Sequence, residues 1–271
     1  DGATGRSVLY GVLQNVGAEL SAHESLVAEQ ETWGTIAQLA AEYETIAAAA
    51  QRDRWATLLR TSGLPESDAI AAIESDAFGP LAAELRRAEA NHHDVDALLP
   101  RLVRARGFDD ADDIAAVLRH RVASATARAA GSGRSRKAPR LIVGLIPEAT
   151  GVMSDEMQKA LEERQTLMEE RADAVLDRDL AAAAPWVAAL GPEPADSRAR
   201  ASWRRSARVI SAYRDRYQIT AETALGPQAE TTAQKVDRAR AEVGLTGNLR
   251  VPFSRTATTH TRAQTTNGRT L

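Results

Sequence analysis

Apolar positions along the chain recur at helical rather than alternating spacing. Ser21 and Glu24 of "SAHESLVAEQ" form a capping box, in which each side chain satisfies an orphan N–H at a helix start. An apolar face follows at Leu26, Trp33, Ile36, Ala37 and Leu39 and continues through Tyr43, Ile46, Ala47, Ala50, Trp55, Leu58 and Leu59. Gly63 and Pro65 in "TSGLPES" stop it, so the spacing predicts one long helix or two in line. Shorter helices are predicted at "PESDAIAAIESD", "GPLAAELRRAEA", "DVDALLPRLVRARG" and "FDDADDIAAVLRHRVASATARAA". Each opens with Pro, Gly or an acid and several close on arginine, which suits the helix dipole at both ends. Pro100 should kink or divide the third of them, because proline lacks the N–H that the helix ladder needs. In the last, Ile114, Val117, Leu118, Val122 and Ala125 mark one face.

Beyond "GSGRSRKAP" the pattern changes. "RLIVGLIPEATG" is a β-branched apolar run bounded by Pro and Gly, and reads as a short strand or a buried extended segment. Ser154 then caps a charged helix with Met157, Leu161, Met168, Val175 and Leu176 inward, ended by Pro185. After the loop "GPEPADS" a further helix is predicted from about Asp196 to Tyr217. The closing "NLRVPFSRTATTHTRAQTTNGRTL" holds seven threonines, four arginines and no acid, a composition that cannot build a core and predicts disorder. No fixed repeat period is visible. The expected fold is all-α: an acidic helical bundle over 1–130, a basic Gly/Ser linker and apolar extended segment over 131–153, a second helical region over 154–245, and a disordered basic tail over 246–271.

Composition narrows the chemistry. The 271 residues suffice for a real core, but only 4% are aromatic, so close-packed alanine-rich helices are expected. The absence of cysteine excludes disulfides and thiolate chemistry. No apolar run approaches the roughly 18 residues of a membrane span, and the opening "DGATGRSVLYGVL" lacks a secretory signal's charged and apolar blocks. A soluble, cytoplasmic protein without membrane insertion is therefore expected. The net charge of −3 is unevenly placed: residues 1–127 hold 11 basic and 20 acidic side chains, residues 128–271 hold 23 and 17. A polyanionic partner would meet the second half.

The candidate motifs are mostly bland. "GSGRSRKAP" has the glycines and lysine of a phosphate-binding loop, but counting from Gly131 the second required glycine is Arg136 and the required hydroxyl is Ala138, and a helical pattern precedes it rather than a strand. That leaves a basic hinge or a phosphate contact through Arg134, Arg136 and Lys137. His92 and His93 stand side by side and point to different sides of a helix, and with His23, His120 and His260 they complete no tetrahedral set. "DDADD" at 109–113 lacks the alternation and glycine of a calcium loop. No serine sits in a nucleophile elbow, and the carboxylates Glu162 and Glu163 fall on a charged helix face. No catalytic function and no cofactor are expected.

One helix stands apart. "RARASWRRSARVISAYRDRYQIT" sets Trp203, Ala207, Ile210, Tyr213 and Tyr217 on one side, while Arg200, Arg204 and Arg208 step along another, widened by Arg198, Arg205 and Arg216. A guanidinium row at this spacing can track phosphates without reading sequence. It can equally be a solvated or salt-bridged face.

The segments "AEYETIAAAAQRDRWATLLR", "SDAFGPLAAELRRAE", "LLPRLVRARGFDDADDIAAVLRHRV", "GSGRSRKAPRLIVGLIPEATG" and "YRDRYQIT" together resemble the C-terminal region of actinobacterial MobF-type conjugative relaxases, over about residues 1–243. Members of that family nick plasmid DNA with an N-terminal domain of tyrosines and a histidine-bound metal, then unwind it with an ATP-driven helicase. This chain carries neither motif set, so no catalytic residue transfers. The resemblance implies an accessory role: docking to relaxosome proteins, to plasmid DNA, or to the coupling protein of a type IV secretion system. It also implies that residues 1–22 form a helical exit from the helicase. Arg250, Arg255, Arg262 and Arg269, spaced along the tail, would then be offered to the secretion machinery as a transfer signal.

Overall fold

The computed structural model describes residues 34–108, 110–127 and 137–249. They form an all-α fold in which the sole sheet among the described residues is one two-residue strand pair.

Helix α1, Ile36–Arg60, starts where Thr35 takes extended backbone and its hydroxyl accepts from the Gln38 N–H at 3.4 Å. Gly34 just before it has φ +86°, in the left-handed region that glycine adopts at no steric cost. Of the two expectations, one long helix or two in line, the described part is a helix that begins at Ile36, with Gly34 and Thr35 before it. Ser21, Glu24, Leu26 and Trp33 lie outside the described residues, as does the stretch 1–22.

Four shorter helices follow: α2 Glu66–Glu74, α3 Phe78–Ala90, α4 Val95–Ala105 and α5 Ile114–Ala125. Asp94 caps α4 by accepting from the Ala97 N–H at 3.0 Å, and Asp113 caps α5 through Ala116 at 2.9 Å. Pro100 does not divide α4, which runs continuously across it. The proline sits in the second turn, so the only carbonyl that its missing N–H would have served is that of the exposed Asp96.

The segment after the basic stretch makes an antiparallel hairpin, β1 Leu141–Ile142 with β2 Ile146–Pro147, in the register Ile142 opposite Ile146. The Leu145 N–H closes its turn onto the Ile142 carbonyl at 2.9 Å. Val143 and Gly144, the two central residues, have φ +45° and +76°, the mirror-image turn that hairpin twist favours. Valine is an expensive residue there, since its branched Cβ crowds the backbone at positive φ. Then come α6 Asp155–Ala181, capped by Ser154, a 3-10 turn at Pro185–Leu190, α7 Ser197–Arg216, capped by Asp196, and α8 Thr232–Leu249.

Two cores hold these elements. In one, Trp55 and Leu59 from the end of α1 pack with Leu81, Leu85, Leu99 and Leu118 of α3, α4 and α5. In the other, Ile36, Tyr43 and Ala47 from the start of α1 pack with Ile142, Leu145 and Ile146 of the hairpin, Met168 and Leu176 of α6, and Trp203, Ile210 and Tyr213 of α7. Each large apolar side chain so buried contributes about 1.5–3 kcal/mol. The two halves of α1 thus belong to different cores. Buried alanines such as Ala40, Ala47, Ala207 and Ala241 let the backbones approach closely in place of bulky aromatics.

Candidate functional site

The arginine row of α7 lies against α6. Arg204 pairs with Asp177 and stands 3.8 Å from Glu193. Arg208 pairs with Glu169, lies 2.7 Å from Asp173, and donates to the Glu169 carbonyl at 2.9 Å. Arg200 faces Glu193 at 3.7 Å and donates to the carbonyls of Pro194 and Ala195, both at 3.1 Å. Glu169, Asp173 and Asp177 repeat at the same four-residue interval as the arginines on the antiparallel helix, Arg208 spanning Glu169 and Asp173 and Arg204 taking Asp177, while Arg200 is met by Glu193 of the loop that follows. Partly exposed pairs of this kind contribute about 0–1 kcal/mol each. Their larger effect is local: the guanidiniums of Arg200, Arg204 and Arg208 already face carboxylates.

The other candidates scatter. Arg205 and Arg198 are exposed and have no ion pair among the described residues. Arg216 turns inward, to Glu44 at 3.2 Å and Asp237 at 3.1 Å. Lys137 is exposed; Arg134 and Arg136 lie outside the described residues, as do Arg250, Arg255, Arg262 and Arg269. Arg204 and Lys137 are not brought together by any contact in the structure.

Sequence reading missed the polar groups that the tertiary structure buries. Asp215, near the end of α7, accepts from the Ile36 N–H at 2.8 Å and from Arg171 at 2.7 Å, so a single carboxylate caps α1 and ties it to α6 and α7. Asp237 of α8 is buried, accepting from Tyr217 at 2.8 Å and from Arg216 at 3.1 Å, with Arg240 at 3.7 Å. Burial pushes its carboxyl above the ordinary value despite those cations. Burial, and then the Asp237 charge, push the Tyr217 hydroxyl far up as well. Arg240 donates to the Leu145 carbonyl at 2.6 Å, joining α8 to the hairpin, and burial lowers its pKa against the attraction of Asp237.

A third knot joins the cores. Glu89 of α3 accepts from Arg54 of α1 at 2.5 and 3.0 Å and from the Thr150 hydroxyl at 2.9 Å. Burial pushes the Glu89 carboxyl up, but the hydrogen bonds from Arg54 and Thr150 outweigh it and the net shift is downward. The Thr150 carbonyl in turn accepts from Gln51 at 2.8 Å and from Arg54 at 3.0 Å.

These knots join elements that lie far apart in sequence. Asp237 and Tyr217 are consumed by partners within the protein. His92 contacts the Ala138 carbonyl through Nε2 at 2.7 Å. Among the described residues no group of three or more His, Asp or Glu side chains is placed to hold a metal ion, and no helix is long and apolar enough to cross a membrane. What the surface does offer is an open groove of about 1050 Å³ walled by α3, α5 and α8. No protein-family model, curated protein or solved structure matches the chain.

Proposed function

We propose that this chain is a non-catalytic helical accessory module of a conjugative plasmid-transfer relaxase, which docks to relaxosome proteins or to the coupling protein of a type IV secretion system. The blocks of sequence that resemble the C-terminal region of MobF-type relaxases support the setting. The arginine row supports docking over phosphate binding: Arg200, Arg204 and Arg208 face Glu193, Asp177, Asp173 and Glu169, which leaves that face close to neutral. On this reading the carboxylates shield α7 from plasmid DNA and the module works through its exposed helix faces.

DNA contact is the second reading, favoured by the exposed Arg198, Arg205 and Lys137. Salt separates the two, because phosphate contacts weaken steeply from low to physiological salt whereas an apolar docking face does not. The test is deletion of this region from the parent relaxase: nicking and unwinding in the test tube should persist while plasmid transfer between cells falls. Transfer that is unchanged would sink the accessory reading. Deleting only residues 249–271 tests the proposed signal at Arg250, Arg255, Arg262 and Arg269 in the same assay.

A further inference from the structure

Helix α8 has two faces. Asp237, Ala241 and Gly244 turn inward, Ala241 fully buried and Gly244 against Ser206 of α7. The opposite face carries Thr232, Val236, Ala239, Val243 and Thr246 at intervals of four, three, four and three residues. That is the 3.5-residue period by which one helix presents a continuous seam to another. Among the described residues nothing covers it: Val243 is 72% exposed, and Ala239 and Thr246 are exposed too.

The seam is also one wall of the groove, with Pro80 and Ala83 of α3, Ala123 of α5 and Ala127 just beyond the end of α5 opposite. Small side chains on all three helices leave room for a further helix at close range, beside the polar Glu84, Arg87, Arg119 and His120 that line the same groove. The charges beside the seam identify that helix. Lys235 and Glu242 flank the same side of α8, seven residues apart and of opposite sign, and both are exposed, Glu242 also meeting Arg238 of its own helix at 3.3 Å. An antiparallel copy of α8 brings the Lys235 of each chain toward the Glu242 of the other, with Ala239 near the crossing, where a small residue permits the closest approach. A surface that complements itself under a two-fold rotation is what an isologous dimer requires.

We propose that α8 packs antiparallel against the α8 of a second copy of this chain, each helix seated in the groove that α3 and α5 form on the other. The pairing is independent of the proposed role in plasmid transfer. It buries two short helix faces and their groove walls, so association on the order of micromolar is expected, at the weak end of specific interfaces.

Sedimentation of the full chain over a concentration series reads the outcome. The 29.1 kDa monomer should give way to a species of twice that mass. Val243→Glu should raise the dissociation constant at least tenfold, with the helical circular dichroism unchanged because the side chain faces solvent. Lys235→Glu and Glu242→Lys should each weaken self-association several-fold when alone. Combining both substitutions in one chain should restore it, since the exchanged charges again meet with opposite sign at each end of the pair. Because the chain lacks cysteine, Ala239→Cys should give a single oxidative cross-link between two chains. A monomer up to several hundred micromolar, or a dimer indifferent to Val243→Glu and to the charge exchange, overturns the proposal. So does a monomer whose labelled Val243→Cys is shielded only when another protein is added, which would give the groove to that protein.

Discussion

The backbone N–H of Ile36 donates to the Asp215 carboxylate at 2.8 Å, across 179 positions of sequence. Helix α1 thereby takes its first-turn cap from the far end of α7, and Arg171 of α6 shares the same carboxylate. Replacing Asp215 by alanine leaves a helix-terminal N–H and a half-buried guanidinium without their acceptor. The expected loss is about 2–3 kcal/mol of unfolding free energy. Asp215→Asn, which keeps an acceptor oxygen but no charge, should fall between; equal losses for the two in urea titrations would show that the charge carries the whole effect.

The matched rows on α6 and α7 make a prediction that runs opposite to an ordinary binding-site deletion. Glu169→Gln, Asp173→Asn and Asp177→Asn together should free two arginines, Arg204 and Arg208, from α6 while preserving shape, because the amide oxygen introduced at position 169 can still accept from the Val143 N–H as the carboxylate does. DNA affinity at low salt should rise, and the slope of its logarithm against that of salt should steepen by about 2. Stability should drop only slightly, as partly exposed pairs dictate. Fluorescence anisotropy with a short duplex measures the first effect, and no gain in affinity would mean that the arginines do not reach phosphates even when unpaired.

Gly144 sits at φ +76°, and a Cβ built there meets a Val209 methyl carbon at 2.5 Å. Gly144→Ala should cost about 2–4 kcal/mol, from left-handed strain plus overpacking against α7. Adding Val209→Ala should recover the overpacking part but not the strain. A double-mutant cycle that shows no coupling between the two sites would contradict the contact.

Glu89 sets a pH dependence. Its folded-state pKa lies below the ordinary value of 4.5, so its contribution to stability is complete above that value and is lost as pH falls through the folded value. The difference in thermal midpoint between the parent chain and Glu89→Gln should therefore stay constant from pH 8 to about pH 5 and shrink below about pH 4.5. A difference that grew in acid would reverse the sign of the shift.

Much of the helical outline was legible from residues alone. Asp94, Asp113, Ser154 and Asp196 cap the helices whose starts they mark, and Leu118, Met168, Trp203 and Ile210 are core as their spacing requires. Capping and amphipathic periodicity are local, set by neighbours within a turn, and so they survive in the one-dimensional record. "RLIVGLIPEATG" was legible as buried and extended for the same reason, since a β-branched run has few other uses.

Only the tertiary structure decided what the polar groups do. Arg200, Arg204 and Arg208 on α7 look the same in sequence whether they face phosphates or the carboxylates of α6 and of Glu193, because the choice depends on which segment lies alongside. The split of α1 between two cores, the cap that Asp215 lends to Ile36 and the burial of Asp237 depend likewise on chain segments that meet from far apart. The exposed seam on α8 is the mirror case: Val236, Ala239 and Val243 have the spacing of a core face, and only the position of α7 on the other side shows that they were left outside. A side chain's local pattern fixes the face it occupies on its helix; the packing of helices fixes what that face meets, and charge and burial follow from the second.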